Sequence, residues 1–148
     1  MKLWSFLKKT EMKVLFNASV ILAGLYSPSG ASGTLLKILK RGSIKGVISE
    51  LILNEALRHA DKIHINQKVM LEKIISIFGK PITAPDAATV EKYTRIVIDE
   101  GDAHVLASTE EGKCDILVTL DKKHLLILKG KIKSLRIMSP GELLTFIQ

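Results

Sequence analysis

Cysteine is almost missing from this 148-residue chain, which has a single one, Cys114, and so cannot close a disulfide within itself. This scarcity excludes the disulfide-rich secreted class and favours a reducing compartment such as the cytoplasm. Because no motif surrounds Cys114, we expect it to be a small buried apolar side chain. Aromatic residues are also few, at 5%, whereas hydrophobic residues make up 47% and charged residues 25%, a composition typical of a globular protein.

Long hydrophobic runs are absent as well. None reaches the roughly 18 unbroken apolar residues of a membrane-spanning helix. The best candidate, KVLFNASVILAGLY, begins at residue 13 and is interrupted by Asn17 and Ser19. Lysines precede this run as in a secretory signal, but Glu11 lies among them, and the interruption argues against that interpretation. We therefore predict a cytoplasmic chain without a membrane segment, with residues 1–11 as an N-terminal extension and residues 12–148 as one domain.

Three further absences restrict the chemistry. Acidic residues are outnumbered 15 to 22 by Lys and Arg, and the net charge of +7 favours a polyanionic partner such as nucleic acid or acidic lipid. The segment SPSGASG lacks the Gly-Lys-Ser/Thr ending of a phosphate-binding loop. The histidines share no ligand spacing, so no zinc site is predicted; they are His59, His64, His104 and His124.

The chain does contain short apolar runs that alternate with helical patterns, which is typical of an α/β fold with a parallel sheet. Strands are predicted at KVLF, KGVIS, DILVTL and LRIM, and the proline-bounded PITAP is at most an edge piece. Helices are predicted at ASVILAGLY, ASGTLLKILKRG, ELILNEALRHADKI, NQKVMLEKIISIFG, DAATVEKYTRIVID, DAHVLASTEEGK, KKHLLILK and SPGELLTFI. In the last of these, Ser139 is the predicted N-cap and Pro140 the first helical residue.

Polar residues stand where two predicted strands end. Asn17 follows KVLF, Asp121 follows DILVTL, and Asp102 is predicted to open a helix just after Asp99. Ligands of open parallel sheets bind beyond the carboxyl ends of the strands, and oxygen ligands gathered there suit Mg²⁺ or Mn²⁺. The same residue types are also ordinary helix N-caps, and Glu55, off the apolar stripe of its helix, could simply face solvent. The pattern leaves both interpretations open.

Taken together, these segments resemble the PIN domain, the nuclease fold of many VapC-type toxins from prokaryotic toxin–antitoxin pairs. The resemblance begins at Lys13 and runs to the end of the chain. VLFNASVILAGLYSPSGASG is similar to the opening strand and helix of the family, and ISELILNEALRHA to its Glu-bearing helix. DEGDAHVLASTEEGKCDILVTLDKKHLL is the most specific match. The resemblance implies a Rossmann-like, three-layer α/β/α fold with a parallel sheet of four to five strands.

The resemblance also implies a catalytic site. Glu55, Asp102 and Asp121 would hold a Mg²⁺ or Mn²⁺ ion that activates water to cleave RNA. Ser19, Thr119 and Asp99 would support them.

One position departs from the family pattern. The first Asp of the family corresponds to Asn17, and the Asn two residues later corresponds to Ser19. Asn17 can still coordinate a cation through its carbonyl oxygen, but one unit of negative charge is lost. Such a charge pair, at about 4 Å and an effective dielectric of about 20, is worth roughly 4 kcal/mol before desolvation. Asp99 and Glu100 are the nearest acids in the sequence that could substitute for it.

The implied function is that of a metal-dependent ribonuclease, the toxin of a toxin–antitoxin pair, with an antitoxin protein as a partner and self-association into a dimer or larger oligomer. Several basic residues are predicted to follow the RNA backbone: Lys37, Lys40, Arg41, Lys122 and Lys123. Asn17 leaves one alternative open. The chain could be a degenerate PIN-like domain that binds RNA or a protein partner without cleaving.

Overall fold

The computed structural model describes residues 12–147, so the predicted extension at residues 1–11 lies outside the described residues. The strands in this range are β1 (Lys13–Phe16), β2 (Lys45–Val47), β3 (Ile116–Val118) and β4 (Arg136–Met138). The α-helices are α1 (Ala18–Tyr26), α2 (Ala31–Arg41), α3 (Glu50–Arg58), α4 (Gln67–Phe78), α5 (Ala87–Thr94), α6 (Glu100–Glu111) and α7 (Pro140–Ile147). Two 3₁₀ helices span Ala60–Ile63 and Leu126–Leu128.

The described strands form one parallel sheet in the order β2-β1-β3-β4. The side chains of the central strands β1 and β3 are almost completely buried from residue 14 to 16 and from residue 116 to 118. Because successive side chains of a strand point to opposite faces, this burial requires a cover of helices on both faces. The structure therefore confirms the three-layer α/β/α prediction, with four strands in the sheet.

The carboxyl ends of the two central strands lie side by side. The backbone N–H of Asn17 donates to the carbonyl of Val118 (3.1 Å), and the backbone N–H of Thr119 donates to the carbonyl of Met138 (3.0 Å). These bonds continue the parallel ladder by one residue. Helix α1 begins immediately after Asn17, and the chain turns away after Thr119. The residues that follow both strands therefore meet at one edge of the sheet.

The α1–α2 turn depends on a glycine. Gly33 lies so close to Pro28 that a Cβ atom on it would come within 2.3 Å of the Pro28 carbonyl oxygen. At the other end of this helix pair, Gly42 follows α2 with a φ of 82°, a conformation that glycine adopts without strain.

Most predicted elements are present, but three helices differ. The helix predicted over residues 86–99 ends at Thr94, and the one predicted over residues 50–63 ends at Arg58. Residues 122–129 form a turn and a 3₁₀ helix in place of the predicted α-helix. In the turn, the carbonyl of Asp121 accepts a closer hydrogen bond from the N–H of Leu126 (2.8 Å), one residue beyond the α-helical spacing, than from the N–H of Leu125 (3.3 Å).

Local signals at the end of the chain and at the sheet edge are confirmed. Ser139 accepts a hydrogen bond from the N–H of Glu142 (3.2 Å), and the Glu142 side chain accepts one from the N–H of Ser139 (3.0 Å). This reciprocal pair is a capping box, and α7 begins at Pro140 as predicted. The PITAP segment contributes one isolated parallel bridge, between Ile82 and Ser49.

Candidate metal centre

A cleft of about 480 Å³ opens at the carboxyl edge of the sheet. Its walls come from Asn17 after β1, the start of α1, helix α3 with the following 3₁₀ helix, the start of α6 and Asp121 in the loop after β3. The cleft contains the predicted site residues Asn17, Ser19, Glu55, Asp99, Asp102 and Asp121. Residues far apart in the sequence therefore meet at the place where a parallel sheet binds its ligands.

Asn17 connects the two central strands. Its side chain is the N-cap of α1, because its Oδ1 accepts a hydrogen bond from the N–H of Ser19 (3.4 Å). Its Nδ2 donates to the hydroxyl of Thr119 (3.1 Å), and the residue is only 8% exposed. The predicted N-cap is present. The same side chain also contacts Thr119, the residue that follows β3 at the carboxyl edge of the sheet.

Thr119 and Ser19 hold the loop after β3 in place. The Thr119 hydroxyl accepts a hydrogen bond from the N–H of Asp121 (3.1 Å), and the Ser19 hydroxyl accepts one from the N–H of Leu120 (3.3 Å). The Thr119 hydroxyl thus fixes Asp121 against the end of β3, and the Ser19 hydroxyl fixes Leu120 against the start of α1. Both residues act on the position of Asp121, which suits the supporting role predicted for them.

Asp121 caps a turn rather than an α-helix. Its Oδ1 accepts hydrogen bonds from the backbone N–H groups of Lys123 (3.1 Å) and His124 (3.0 Å). Its Oδ2 lies 3.2 Å from Nδ1 of His124. The turn therefore fixes one carboxylate oxygen on the backbone and presents the other to the cleft.

Asp102 does not open its helix, which corrects the sequence prediction. Helix α6 begins at Glu100, and its N-cap is Asp99, whose Oδ1 accepts a hydrogen bond from the N–H of Gly101 (3.0 Å). A cap forms wherever the chain first turns into the helix, and sequence alone did not distinguish these acids. Asp102 is instead inside the first turn, with its side chain directed into the cleft.

The Asp102 carboxyl is in an unfavourable environment for a charge. Its side chain is 16% exposed, and its Oδ2 is buried without a hydrogen-bond partner among residues 12–147. Burial raises the pKa of Asp102 above its usual value, and the nearby charges of Asp121, Asp99 and Glu55 raise it further, partly offset by His124. Crowded carboxylates with an unsatisfied oxygen are the arrangement that a bound cation would relieve.

Glu55 lies on α3 and is half-buried in the wall of the same cleft. Its charge is among those that raise the pKa of Asp102. Glu55 therefore belongs to the acidic group and does not face open solvent on the far side of the sheet. Asp99, the nearest acid in sequence to Asp102, lines the cleft as well.

His124 was not predicted from the sequence. Its Nδ1 lies 3.2 Å from Oδ2 of Asp121 and 4.0 Å from Oδ2 of Asp102. Ligand atoms of these three residues all lie within 4.8 Å of one another. The signal was the Asp-x-x-His spacing of Asp121 and His124, which places both side chains on one side of a tight turn. Spacings between histidines alone, on which the sequence prediction was based, do not contain this Asp–His pair.

The predicted basic residues fall into two places. Lys122 and Lys123 are exposed directly after Asp121, next to the acidic cleft. Lys37 and Lys40 line a second cavity, between α1, α2 and α4, which shares no lining residue with the cleft. Arg41 ends α2, shortly before the start of β2. The structure does not bring the basic residues of α2 to the acidic group.

The donor set suits a divalent cation. Carboxylate oxygens from different elements converge, one of them is buried and unsatisfied, and a neutral amide and an imidazole lie beside them. Hard divalent cations take such oxygen ligands, and an imidazole broadens the set toward transition metals. Asp102 and Asp121 would be the principal ligands.

Fold and site together define an open parallel α/β protein with an acidic cleft at the carboxyl edge of its sheet. The chain belongs to the PIN domain family, whose sequence profile matches residues 13–123. PIN domains generally use divalent metal ions, and the cluster of Asp102, Asp121 and His124 is a possible place for one.

The fold has a counterpart among solved structures. A chain in the crystal structure of VapBC2 from Rickettsia felis, bound to a DNA fragment from their promoter, superposes with a TM-score of 0.60. The two chains are 15% identical, and the match covers 86% of this chain and 98% of that one. At this identity the likeness concerns the fold alone. No curated protein matches the sequence. No helix within residues 12–147 is long and apolar enough to cross a membrane.

Proposed function

We propose that this protein is a metal-dependent endoribonuclease of the PIN type. The observation that carries the proposal is the Asp102 carboxylate, half-buried beside Asp121 with one buried oxygen that lacks a hydrogen-bond partner in the described part of the chain. A folded protein keeps such a costly group when a ligand compensates for it, and a divalent cation is the ligand that opposes the crowded negative charge.

The roles of the residues follow from their positions. The cation would be held by the carboxylates of Asp102, Asp121 and Glu55. Asn17 would add a neutral oxygen ligand, and we propose that its position corresponds to the first Asp of the family. A bound Mg²⁺ or Mn²⁺ ion would polarise the scissile phosphate and lower the pKa of a bound water. Thr119 and Ser19 would keep Asp121 and its loop in register with the start of α1.

RNA is the proposed substrate. The net charge of +7 supports a polyanionic partner, and Lys122 and Lys123, exposed directly after Asp121, would contact the RNA backbone. Lys37, Lys40 and Arg41 would contact RNA beyond the cleft.

We further propose that the protein is the toxin of a toxin–antitoxin pair, cytoplasmic, self-associating and held inactive by an antitoxin protein. The fold shared with a chain of a VapBC complex supports this proposal. Induced expression should then arrest bacterial growth. The Asp121→Asn variant should not do so at the same protein level.

A second function is favoured by Asn17 itself. Both ends of its amide are engaged, with Ser19 and with Thr119, so the side chain is satisfied without any cation. A domain with this arrangement could bind RNA or a protein partner without cutting. Loss of the family carboxylate would then mark a degenerate site.

The deciding experiment is cleavage of a pool of single-stranded RNA by the metal-free chain, with and without millimolar Mn²⁺. We expect cleavage only with the ion, reversed by a chelator, and loss of cleavage in Asp121→Asn. This variant keeps the shape of the side chain and can still accept the turn hydrogen bonds. RNA binding without cleavage by the unaltered chain would support the degenerate domain instead.

A further inference from the structure

We propose that Nδ1 of His124 is a direct metal ligand together with Asp102 and Asp121, so that the site prefers Mn²⁺ to Mg²⁺. This inference rests on the proposed metal-dependent function and specifies which ion serves it.

The turn after β3 places the imidazole at the acids. Oδ1 of Asp121 is occupied by two backbone N–H groups, those of Lys123 and His124. Oδ2 of Asp121 has Nδ1 of His124 as its hydrogen-bond partner at 3.2 Å, and a cation bound to both atoms would take the place of the proton that they share. One turn therefore presents an oxygen and a nitrogen ligand side by side, with the backbone bonds keeping both in place.

Nδ1 of His124 faces two carboxylates at once. It is also 4.0 Å from Oδ2 of Asp102, the buried oxygen without a hydrogen-bond partner in residues 12–147. The same ring nitrogen therefore lies near one oxygen of each of the two acids. Donors about 2.1 Å from one ion are at most about 4.2 Å apart. The three ligand atoms lie within 4.8 Å of one another, so they would have to draw together by less than about 1 Å to share one ion.

The chemistry of the donor determines the ion. Mg²⁺ strongly prefers oxygen ligands, whereas first-row transition metals accept imidazole nitrogen readily. A neutral nitrogen donor does not restore the charge missing at Asn17, but it adds a bond that Mn²⁺ gains and Mg²⁺ hardly uses. His124 would then decide which ion the site prefers, and not only how strongly an ion binds.

The test measures Mn²⁺ and Mg²⁺ binding by calorimetry for three metal-free proteins: the unaltered chain, His124→Gln and His59→Gln. The control, His59→Gln, removes the imidazole of a residue that lines the acidic cleft. Nδ1 of His59 is 2.9 Å from the carbonyl of Glu55, and His59 is not part of the cluster. In His124→Gln we expect the Mn²⁺ dissociation constant to rise about tenfold or more and that of Mg²⁺ by less than about threefold. His59→Gln should keep the preference of the unaltered chain.

Electron spin-echo modulation of bound Mn²⁺ gives a readout independent of activity. The unaltered chain and His59→Gln should show coupling to a directly bound ¹⁴N nucleus, and His124→Gln should lose it. If His124→Gln does not fold, ¹⁵N-labelled histidine in the unaltered chain provides the same test, because the coupling must change to that of ¹⁵N.

Each other outcome overturns the inference. Equal weakening of both ions, or a Mn²⁺ spectrum without nitrogen coupling, means that His124 only orients Asp121, and cleavage of RNA with Mn²⁺ would then leave the proposed function intact. If the unaltered chain binds neither ion, the inference and the proposed metal-dependent function both fail.

Discussion

At the scale of single residues, Asn17 distinguishes the two proposed functions. A carboxylate at this position adds negative charge at the carboxyl end of β1 and keeps a good N-cap for α1. The Thr119 hydroxyl, which now accepts from the Asn17 amide, can rotate to donate to a carboxylate instead. The fold should therefore tolerate Asn17→Asp, and the effect of the change should fall on the cation.

We predict that Asn17→Asp binds Mn²⁺ at least about tenfold more tightly, since one added charge pair is worth up to roughly 4 kcal/mol before desolvation. It should also cleave single-stranded RNA faster. Calorimetry and a cleavage time course measure both effects, and the double variant with Asp121→Asn should lose the gain. Cleavage at an equal rate before and after the change would mean that another acid, such as Asp99, already supplies the charge.

The environment of Asp102 gives a second prediction. The folded-state pKa of Asp102 lies above its usual value of 3.8, chiefly because of burial, so the folded state binds this proton more tightly than the unfolded state. Stability is therefore lost as the pH rises through the folded pKa, and the full cost is present at neutral pH. Asp102→Asn removes this cost in the metal-free protein.

We expect Asp102→Asn to melt a few degrees above the unaltered chain at pH 7 in a chelator, with the difference shrinking as the pH falls through the raised pKa of Asp102 and absent well below 3.8. Thermal unfolding followed by circular dichroism measures it. Asp61→Asn, at an exposed position on the first 3₁₀ helix, is the control and should leave the melting temperature unchanged. A lower melting temperature for Asp102→Asn at pH 7 would contradict this account. Added Mn²⁺ should stabilise only the unaltered chain and the control.

At the scale of elements, the α1–α2 turn depends on close backbone packing. A methyl group at Gly33 would meet the Pro28 backbone at 2.3 Å, and backbone atoms cannot move aside as a side chain can. We predict that Gly33→Ala lowers the free energy of unfolding by about 1–3 kcal/mol, as overpacking does. Urea unfolding measures the loss.

Gly141→Ala is the matched control for this prediction. Gly141 lies in α7, and a Cβ atom there would have no heavy atom within 4 Å. Alanine has the higher helix propensity, so this variant should be neutral or more stable by up to about 1 kcal/mol. Equal destabilisation by both substitutions would show that the loss of a flexible residue, and not the contact with Pro28, is the cause.

At the scale of the whole molecule, Cys114 reports on global unfolding. The thiol is 9% exposed, and burial raises its pKa to about 12. The nucleophilic thiolate is therefore disfavoured in the folded state. Because the folded pKa is raised, the contribution of this group to stability is complete below pH 9 and is lost as the pH rises toward 12.

We predict that a thiol reagent such as Ellman's reagent modifies Cys114 at pH 8 only as fast as the protein unfolds. In urea the single thiol should react at once and in full. Absorbance of the released product follows both reactions. Immediate stoichiometric labelling of the folded protein would show that the packing around Cys114 opens without global unfolding.

Local sequence determined those features that need only neighbouring residues. The Asn17 cap of α1 and the Ser139 cap of α7 were readable because their hydrogen bonds join residues at most three positions apart. The strand KVLF was readable from its short apolar run. The alternation of apolar runs and helices likewise predicted the parallel α/β fold, since burial on both faces requires continuous apolar strands. The resemblance to the PIN family indicated which acidic residues form the site.

Only the tertiary structure decided how the acids meet and which neighbours they have. The strand order β2-β1-β3-β4 places Asn17 beside Thr119, 102 positions away. Packing also decided that Asp99 caps α6 while Asp102 has one buried oxygen, and that the chain turns tightly after Asp121 and brings His124 to the cluster. Burial and electrostatic crowding depend on distances between elements, and a sequence contains no distances.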